Sequence, residues 1–231
     1  SPEDIQYVSN MYMGEINFTD SQVGRFIDRL KELGMYDNSM IIITSDHGEE
    51  FWEHQQFEHG HTLYDELVHV PLIIKYPAGT VPSLRIVTSQ VRLIDVMPTV
   101  FQTCDITKPE SFIGESVTPL LMGEKGGQRG AYCESTLYGK DRIAWRGPQY
   151  KYILEIFRNV EPAEELYDWH NDPGEMNDLS DSLPDVTEKL RSELIRFFMD
   201  VTNRADTMSQ PLQVDLSPER IEMLKSLGYI R

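Results

Sequence analysis

The sequence predicts an α/β protein: a sheet sandwiched by helices, followed by a small antiparallel subdomain with a helix. Three observations carry that expectation. Two unbroken apolar runs, at 40–44 and 70–76, look like strands covered on both faces, hence a parallel sheet. Segments with apolar residues at helical spacing stand on either side of them, which is the rhythm of an α/β layer. Beyond residue 124 the pattern changes to short strand candidates separated by turns.

Each element has its own signal. Residues 19–34 read as a helix: Thr19 or Asp20 caps it, Val23, Phe26, Ile27, Leu30 and Leu33 share a face, and Gly34 suits a left-handed cap. Met40-Ile41-Ile42-Ile43-Thr44 is the first strand, and the run from Val70 to Tyr76 is the second, ended by Pro77 and Gly79. Residues 87–91 are a further strand or edge candidate. A helix follows over 93–101, where Pro98 fits only the first turn. Gly123 to Gln128 reads as a linker or loop. Residues 131–134, 142–145 and 150–157 are short strands, Asn171-Asp172-Pro173-Gly174 is a turn, and 186–201 is a helix. A last short helix starts at Ser217-Pro218 and closes at Gly228. These signals divide the chain into an α/β part at 1–124, a sheet-plus-helix subdomain at 125–205 and a tail at 206–231.

Bulk properties narrow the partners. The 231 residues suffice for a sizeable core, and 40% hydrophobic with 26% charged residues is ordinary for a globular protein. A net charge of −17 argues against nucleic acid, which needs a basic stripe. No apolar run approaches the roughly 18 residues of a membrane span. Ser1-Pro2-Glu3-Asp4 reads as an internal boundary rather than a leader. Cys104 and Cys133 have neither metal-ligand spacing nor a disulfide framework, and each is expected to be a small buried residue.

The chemistry gathers after the first strand, in Thr44-Ser45-Asp46-His47-Gly48. Strand ends in open α/β sheets face a crevice where loops diverge. There an adjacent Asp and His can send one oxygen and one nitrogen to a divalent ion, while Gly48 lets the backbone bend close. Five of the six histidines (His47, His54, His59, His61 and His69) fall within 47–69, where uniform scatter would place fewer than one. A long polar loop between two apolar strands is also where binding residues are expected. Plainer readings hold for the neighbours. His54 reads as an exposed loop residue, His69 as strand-edge packing, His170 as surface and Asp95 as a helix-start residue. Trp52 and Phe57 either line a substrate mouth or cover the loop.

Together, IIITSDHGEE and EHGHTLYDELVHVPLIIKYP resemble the C-terminal half of sulfatases in the alkaline phosphatase superfamily. YMGEINFTDSQVGRFIDRLKELG upstream, then VTSQVRLIDVMPTVFQ, GESVTPLLMGE, GPQYKYI and ELYDWHNDPGEMNDLS, follow the family's order of landmarks. The resemblance implies an alkaline-phosphatase-like sheet and a hydrolase of sulfate esters. It implies that Asp46 and His47 bind the catalytic divalent ion: Ca²⁺ by family habit, with Mn²⁺ or Zn²⁺ favoured by an imidazole donor. In place of the lysine many sulfatases carry stands His59-Gly60-His61, so His59 or His61 is expected to bind the ester head and assist catalysis.

The family's nucleophile motif, Cys or Ser in Cys/Ser-x-Pro/Ala-x-Arg and matured to formylglycine, fits neither Cys104 nor Cys133. Two protein ligands also fall short of the roughly four to seven donors a divalent ion takes. The resulting expectation is a C-terminal piece of a longer enzyme, inactive alone, whose partners are a small-molecule or saccharide sulfate (or phosphate) ester and the missing N-terminal half. The open alternatives are a phosphoryl-group enzyme of the superfamily, either a phosphonate monoester hydrolase or a phosphoglycerol transferase, and a non-catalytic binding module. The family includes periplasmic and secreted members, and the sequence leaves localisation open.

Overall fold

The computed structural model describes all residues except 82–85, 125–128, 137–140, 157–161 and 208–231. Helix α1 (Pro2–Glu32) starts well before the expected residue 19. Ser1 caps it, its hydroxyl accepting from the Asp4 amide while the Asp4 carboxylate takes the Ser1 amine at 2.9 Å. Ser1 and Asp4 thus form a capping box with Pro2 in the first turn. Gly34, at φ 67°, lies just past the helix end, as expected. No residue of α1 is buried, and Tyr12 meets Phe51 at 4.9 Å between ring centres.

Strand β1 (Ile41–Thr44) pairs with β4 (Leu72–Lys75) antiparallel, Ile42 opposite Ile74 and Thr44 opposite Leu72, which corrects the parallel expectation. The expected cover on both faces is absent as well: no residue of β1 or β4 is buried and Ile73 is 60% exposed, so an unbroken apolar run fixes neither direction nor burial by itself. The intervening chain holds a hairpin the sequence did not suggest, β2 (Glu50–Phe51) with β3 (Phe57–Glu58), and a single helical turn, α2 (Asp65–Val68). Residues 87–91 form no strand. Gln90 instead spends its side-chain amide on the carbonyls of Arg129 and Arg146, both at 2.9 Å.

Helix α3 (Val96–Thr103) follows a 3₁₀ turn at Leu93–Asp95. Asp95, almost fully buried, binds the Arg92 and Glu115 amides and the Arg92 guanidinium, so it is the helix-start residue expected. A one-turn helix, α4 (Thr118–Leu121), comes next. The small antiparallel sheet has four strands rather than three: β5 (Ala131–Ser135), β6 (Asp141–Arg146), β7 (Lys151–Ile156) and β8 (Ala163–Tyr167), in that order. The fourth strand was missed because Ala-Glu-Glu-Leu-Tyr carries little β propensity of its own. The expected linker at 123–128 and the last helix from 217 lie wholly or largely outside the described residues.

Alternation in this sheet decides what covers it. Ile143, Tyr152, Leu154 and Leu166 face Leu190 and Leu194 of α5 (Pro184–Thr207). The opposite face presents Ala144, Ile153 and Tyr167 to Leu63, just beyond the histidine-rich loop. Each fully buried leucine here contributes ~2 kcal/mol by leaving water. The sheet therefore serves as the platform under that loop. By backbone proximity Ser1–Phe197 form one unit and Phe198–Arg231 a second. In the described part of the second, Arg204 pairs with Asp200 at 2.8 Å. No described helix is long and apolar enough to cross a membrane. Of the two cysteines, Cys104 is exposed, against the expectation of burial, and Cys133 is half-buried.

Candidate metal and active site

The turn after β1 is built for close approach. Ser45 Oγ donates to the His47 carbonyl at 2.6 Å, and the His47 amide donates to Asp46 Oδ1 at 3.1 Å. The Gly48 amide donates to the Leu67 carbonyl at 2.8 Å. A Cβ at Gly48 would fall 2.0 Å from the Glu66 carbonyl oxygen, so only glycine lets this turn lie against α2.

The His47 ring has a defined tautomer. Nδ1 lies 2.9 Å from the Gly48 carbonyl, which can only accept, so Nδ1 carries the proton. The lone pair then sits on Nε2, 3.7 Å from Asp46 Oδ1. A hydrogen bond of this kind from the second ring nitrogen is what orients histidines that do bind metals. Both side chains are open to solvent, Asp46 at 75% and His47 at 42% exposure.

His59 completes the outer group. The Glu50–Glu58 register of the β2–β3 hairpin carries Glu49 alongside His59, whose Nδ1 donates to Glu49 Oε1 at 2.6 Å. The His59 ring stacks on His47 at 3.9 Å with a 24° interplanar angle. Ligand atoms of His47, Glu49 and His59 lie within 4.8 Å of one another. Carboxylates and imidazoles together suit a borderline divalent ion, while Ca²⁺ takes oxygen donors.

His61 turns the other way, into a closed network. Its Nε2 donates to Glu50 at 2.8 Å, and Glu50 is fully buried. The Glu50 carboxylate also takes the His54 amide at 2.9 Å and the Gln56 amide at 2.8 Å. Burial opposes its charge, but these donors, led by His61, hold its pKa below the ordinary carboxylate value. His54, expected to be exposed, is 12% exposed: it stacks on Tyr64 at 3.7 Å and bonds Glu66 at 2.7 Å. Desolvation works against its cation, yet the Glu66 and Glu175 hydrogen bonds raise its pKa. Glu50, His54 and Glu66 also come within ligand distance of one another, but His54 and Glu50 already hold hydrogen-bond partners there.

The remaining histidines divide. His69, expected to pack at a strand edge, caps α2 exposed to solvent. His170 lies at the surface as expected, edge-on to Trp169. Trp52 and Phe57 meet at 5.3 Å across the hairpin tip, with Trp52 at φ 81°.

Beneath the loop lies an ion cluster that sequence reasoning missed. Lys151, fully buried on β7, has Nζ 2.9 Å from Asp65 Oδ1 and 2.8 Å from each Glu175 oxygen. Arg146 binds both Asp65 oxygens, at 3.1 and 2.8 Å, and its guanidinium lies 3.7 Å over the Trp169 ring. Burial raises the Asp65 carboxyl, but Arg146 and Lys151 overcome that and hold it at about 2. A lysine opening an otherwise apolar strand, Lys151-Tyr152-Ile153-Leu154, was the available signal.

Residues 3–106 match the family model described as Sulfatase. The chain is 33% identical over 202 residues to the uncharacterized sulfatase YidJ of Escherichia coli, covering 84% of this chain and 39% of that protein. Its structure is similar, at 26% identity and TM-score 0.66, to BT4656 solved with its substrate D-glucosamine-2-N,6-O-disulfate, covering 80% of this chain and 39% of that one. It is likewise similar, at 25% identity and TM-score 0.66, to the phosphonate monoester hydrolase of Agrobacterium radiobacter, covering 79% and 39%. The chain thus spans about two-fifths of the length of the relatives it matches.

Proposed function

Through residues 3–106 this chain belongs to the sulfatase family, and from that premise we propose that it supplies one part of a divalent-metal hydrolase site that cleaves sulfate esters. The orientation of His47 carries the reading: its Nδ1 is spent on the Gly48 carbonyl, so Nε2 stands beside the Asp46 carboxylate as a ready ligand pair. Asp46 and His47 would hold the ion, Ca²⁺ by family and Mn²⁺ or Zn²⁺ by donor chemistry. A bound divalent ion supplies positive charge that polarises the ester's anionic head.

The chain's own residues would do the rest of what lies within it. His59, held by Glu49 through Nδ1, keeps Nε2 for an ester oxygen or a leaving alkoxide. His61 shares that assignment by sequence. Its bond to buried Glu50 supports a positioning role, fixing the loop that carries His59. The further donors and the formylglycine nucleophile would come from outside these 231 residues, so the chain alone should not turn over. BT4656 binds a sulfated aminosugar, which supports a saccharide sulfate as substrate. Likeness to the phosphonate monoester hydrolase supports phosphoryl esters as the second reading.

Calorimetric titration of Mn²⁺ into the purified chain tests the proposal. Saturable binding is expected, weakened at least about tenfold by Asp46→Ala or His47→Ala, in line with the loss of a ligand contact. Binding indifferent to both substitutions would refute the site, and robust hydrolysis of an aryl sulfate by the chain alone would refute its incompleteness.

A further inference from the structure

A single helical turn links the small sheet to the turn that carries Asp46 and His47. Helix α2 has four residues, far below the roughly 12 that even a good sequence needs to stand as an isolated helix. Tyr64 at its start gives no side-chain cap. The element is therefore held by what grips its ends. At its first position the Asp65 carboxylate takes Arg146 of β6 at 3.1 and 2.8 Å and Lys151 of β7 at 2.9 Å. Glu175 accepts the Asp65 amide at 2.7 Å and so caps the same residue.

The other side of α2 meets the turn after β1. The Leu67 carbonyl accepts the Gly48 amide at 2.8 Å, and the Glu66 carbonyl oxygen lies where a Cβ on Gly48 would stand, 2.0 Å away. Gly48 gives its own carbonyl to His47 Nδ1 at 2.9 Å, the bond that leaves the His47 lone pair on Nε2. Its N–H is thus spent on α2 and its C=O on the imidazole. A displacement of α2 would carry with it the group that sets the His47 ring. Asp65, Arg146 and Lys151 themselves stand outside the ligand group of His47, Glu49 and His59.

We infer that Asp65 is a positioning residue for the metal turn: pinned by Arg146 and Lys151, it fixes α2, and through the Leu67 carbonyl and Gly48 it holds His47 Nε2 beside Asp46. A carboxylate suits this post because it only accepts, and here it accepts from two cations at once. An amide in its place would carry no charge and would turn an N–H₂ group toward one of them. The small sheet then does more than support the loop, since two of its strands supply the cations that set the ligand pair. The purpose of the link rests on the reading of Asp46 and His47 as metal ligands, whereas the link itself needs no ion.

Amide hydrogen exchange by NMR on the purified, metal-free chain tests the link, and calorimetric titration with Mn²⁺ tests its purpose. In Asp65→Asn the Gly48 amide should accelerate at least about tenfold beyond any acceleration in β6 and β7, the effect of losing one charged hydrogen bond. Mn²⁺ affinity should fall at least about tenfold, as it does when a group behind a ligand is lost. Arg146→Gln leaves the Lys151–Asp65 pair in place and should move both readouts the same way by less, so the link can be read even where Asp65→Asn fails to fold. Leu190→Ala loosens the opposite face of the same sheet. It should speed exchange in the strands at least as much as at Gly48 and leave Mn²⁺ affinity as in the parent. The inference is overturned if Gly48 accelerates no more than the strands in Asp65→Asn and Arg146→Gln alike. It is equally overturned if both variants bind Mn²⁺ as tightly as the parent, which would make the cluster a stabiliser of the fold alone. A parent chain that binds no Mn²⁺ would sink the metal reading, and Gly48 exchange would still decide the link.

Discussion

Glu49 and Glu50 are the same residue side by side, yet they serve two regions with opposite character. Glu49 looks outward and holds His59 at the open edge with His47. Glu50 looks inward, fully buried, and closes a network of His54, Gln56 and His61. The outer carboxylate serves His59 at an edge open to solvent. The inner one has three donors, and its capacity is used up by structure. What separates the open-edge histidine from the enclosed one here is therefore not the presence of a glutamate but how many other donors that glutamate already serves.

The deepest part of the inner region should break first. Lys151→Met leaves Glu175 buried with its main counter-charge gone, and a loss of about 3–5 kcal/mol is expected in urea denaturation. A loss under about 1 kcal/mol would mean that the inner network is not what holds the loop. The comparison itself is sharpened by substituting each glutamate. Glu50→Ala strands three N–H donors and should cost about 1–3 kcal/mol. Glu49→Ala should stay within about 0.5 kcal/mol in stability, the range of surface changes, while altering metal binding. Equal destabilisation by the two variants would erase the distinction.

The smallest effect is one of pH. His54 has its pKa raised in the folded chain, against desolvation, by Glu66. A raised histidine contributes stability that is fully present below its ordinary value near 6.5 and is lost as pH rises through the folded value. Stability measured across neutral pH should therefore fall toward alkaline pH, and Glu66→Gln should flatten that fall. A slope that survives in Glu66→Gln would assign it to another group.

The sequence made some of this legible and concealed the rest for physical reasons. Asp46 and His47 stood out because strand ends concentrate function, and their side chains do lie together. His59 and His61 looked equivalent, since residue types and spacing do not say which of two neighbouring glutamates each will meet. His54 was misjudged as exposed because its burial depends on Tyr64 and Glu175, the latter 121 residues away. The antiparallel pairing of β1 with β4 was hidden in the same way, for hydrophobicity is silent on strand direction, and Ile73, 60% exposed, is apolar without being covered. Ser1-Pro2-Glu3-Asp4, by contrast, does contain a local signal for the start of α1, a capping serine with Pro2 and Asp4 in the first turn.

The hairpin also sets a rule for insertions and deletions. Glu49 and Glu50 are one position apart, while their histidines, His59 and His61, are two apart, and Gly60 at φ 83° takes up the difference. Side chains in an extended chain alternate, so adding or removing one residue between Gly48 and Glu50, or replacing the glycine turn, would exchange the two glutamates between inside and outside. Homologous chains should accordingly vary in length at the tip, between Phe51 and Phe57, and keep these two short arms at fixed count. The two glutamates are thus kept apart by odd and even numbering along the chain, and their histidines by the left-handed turn at Gly60.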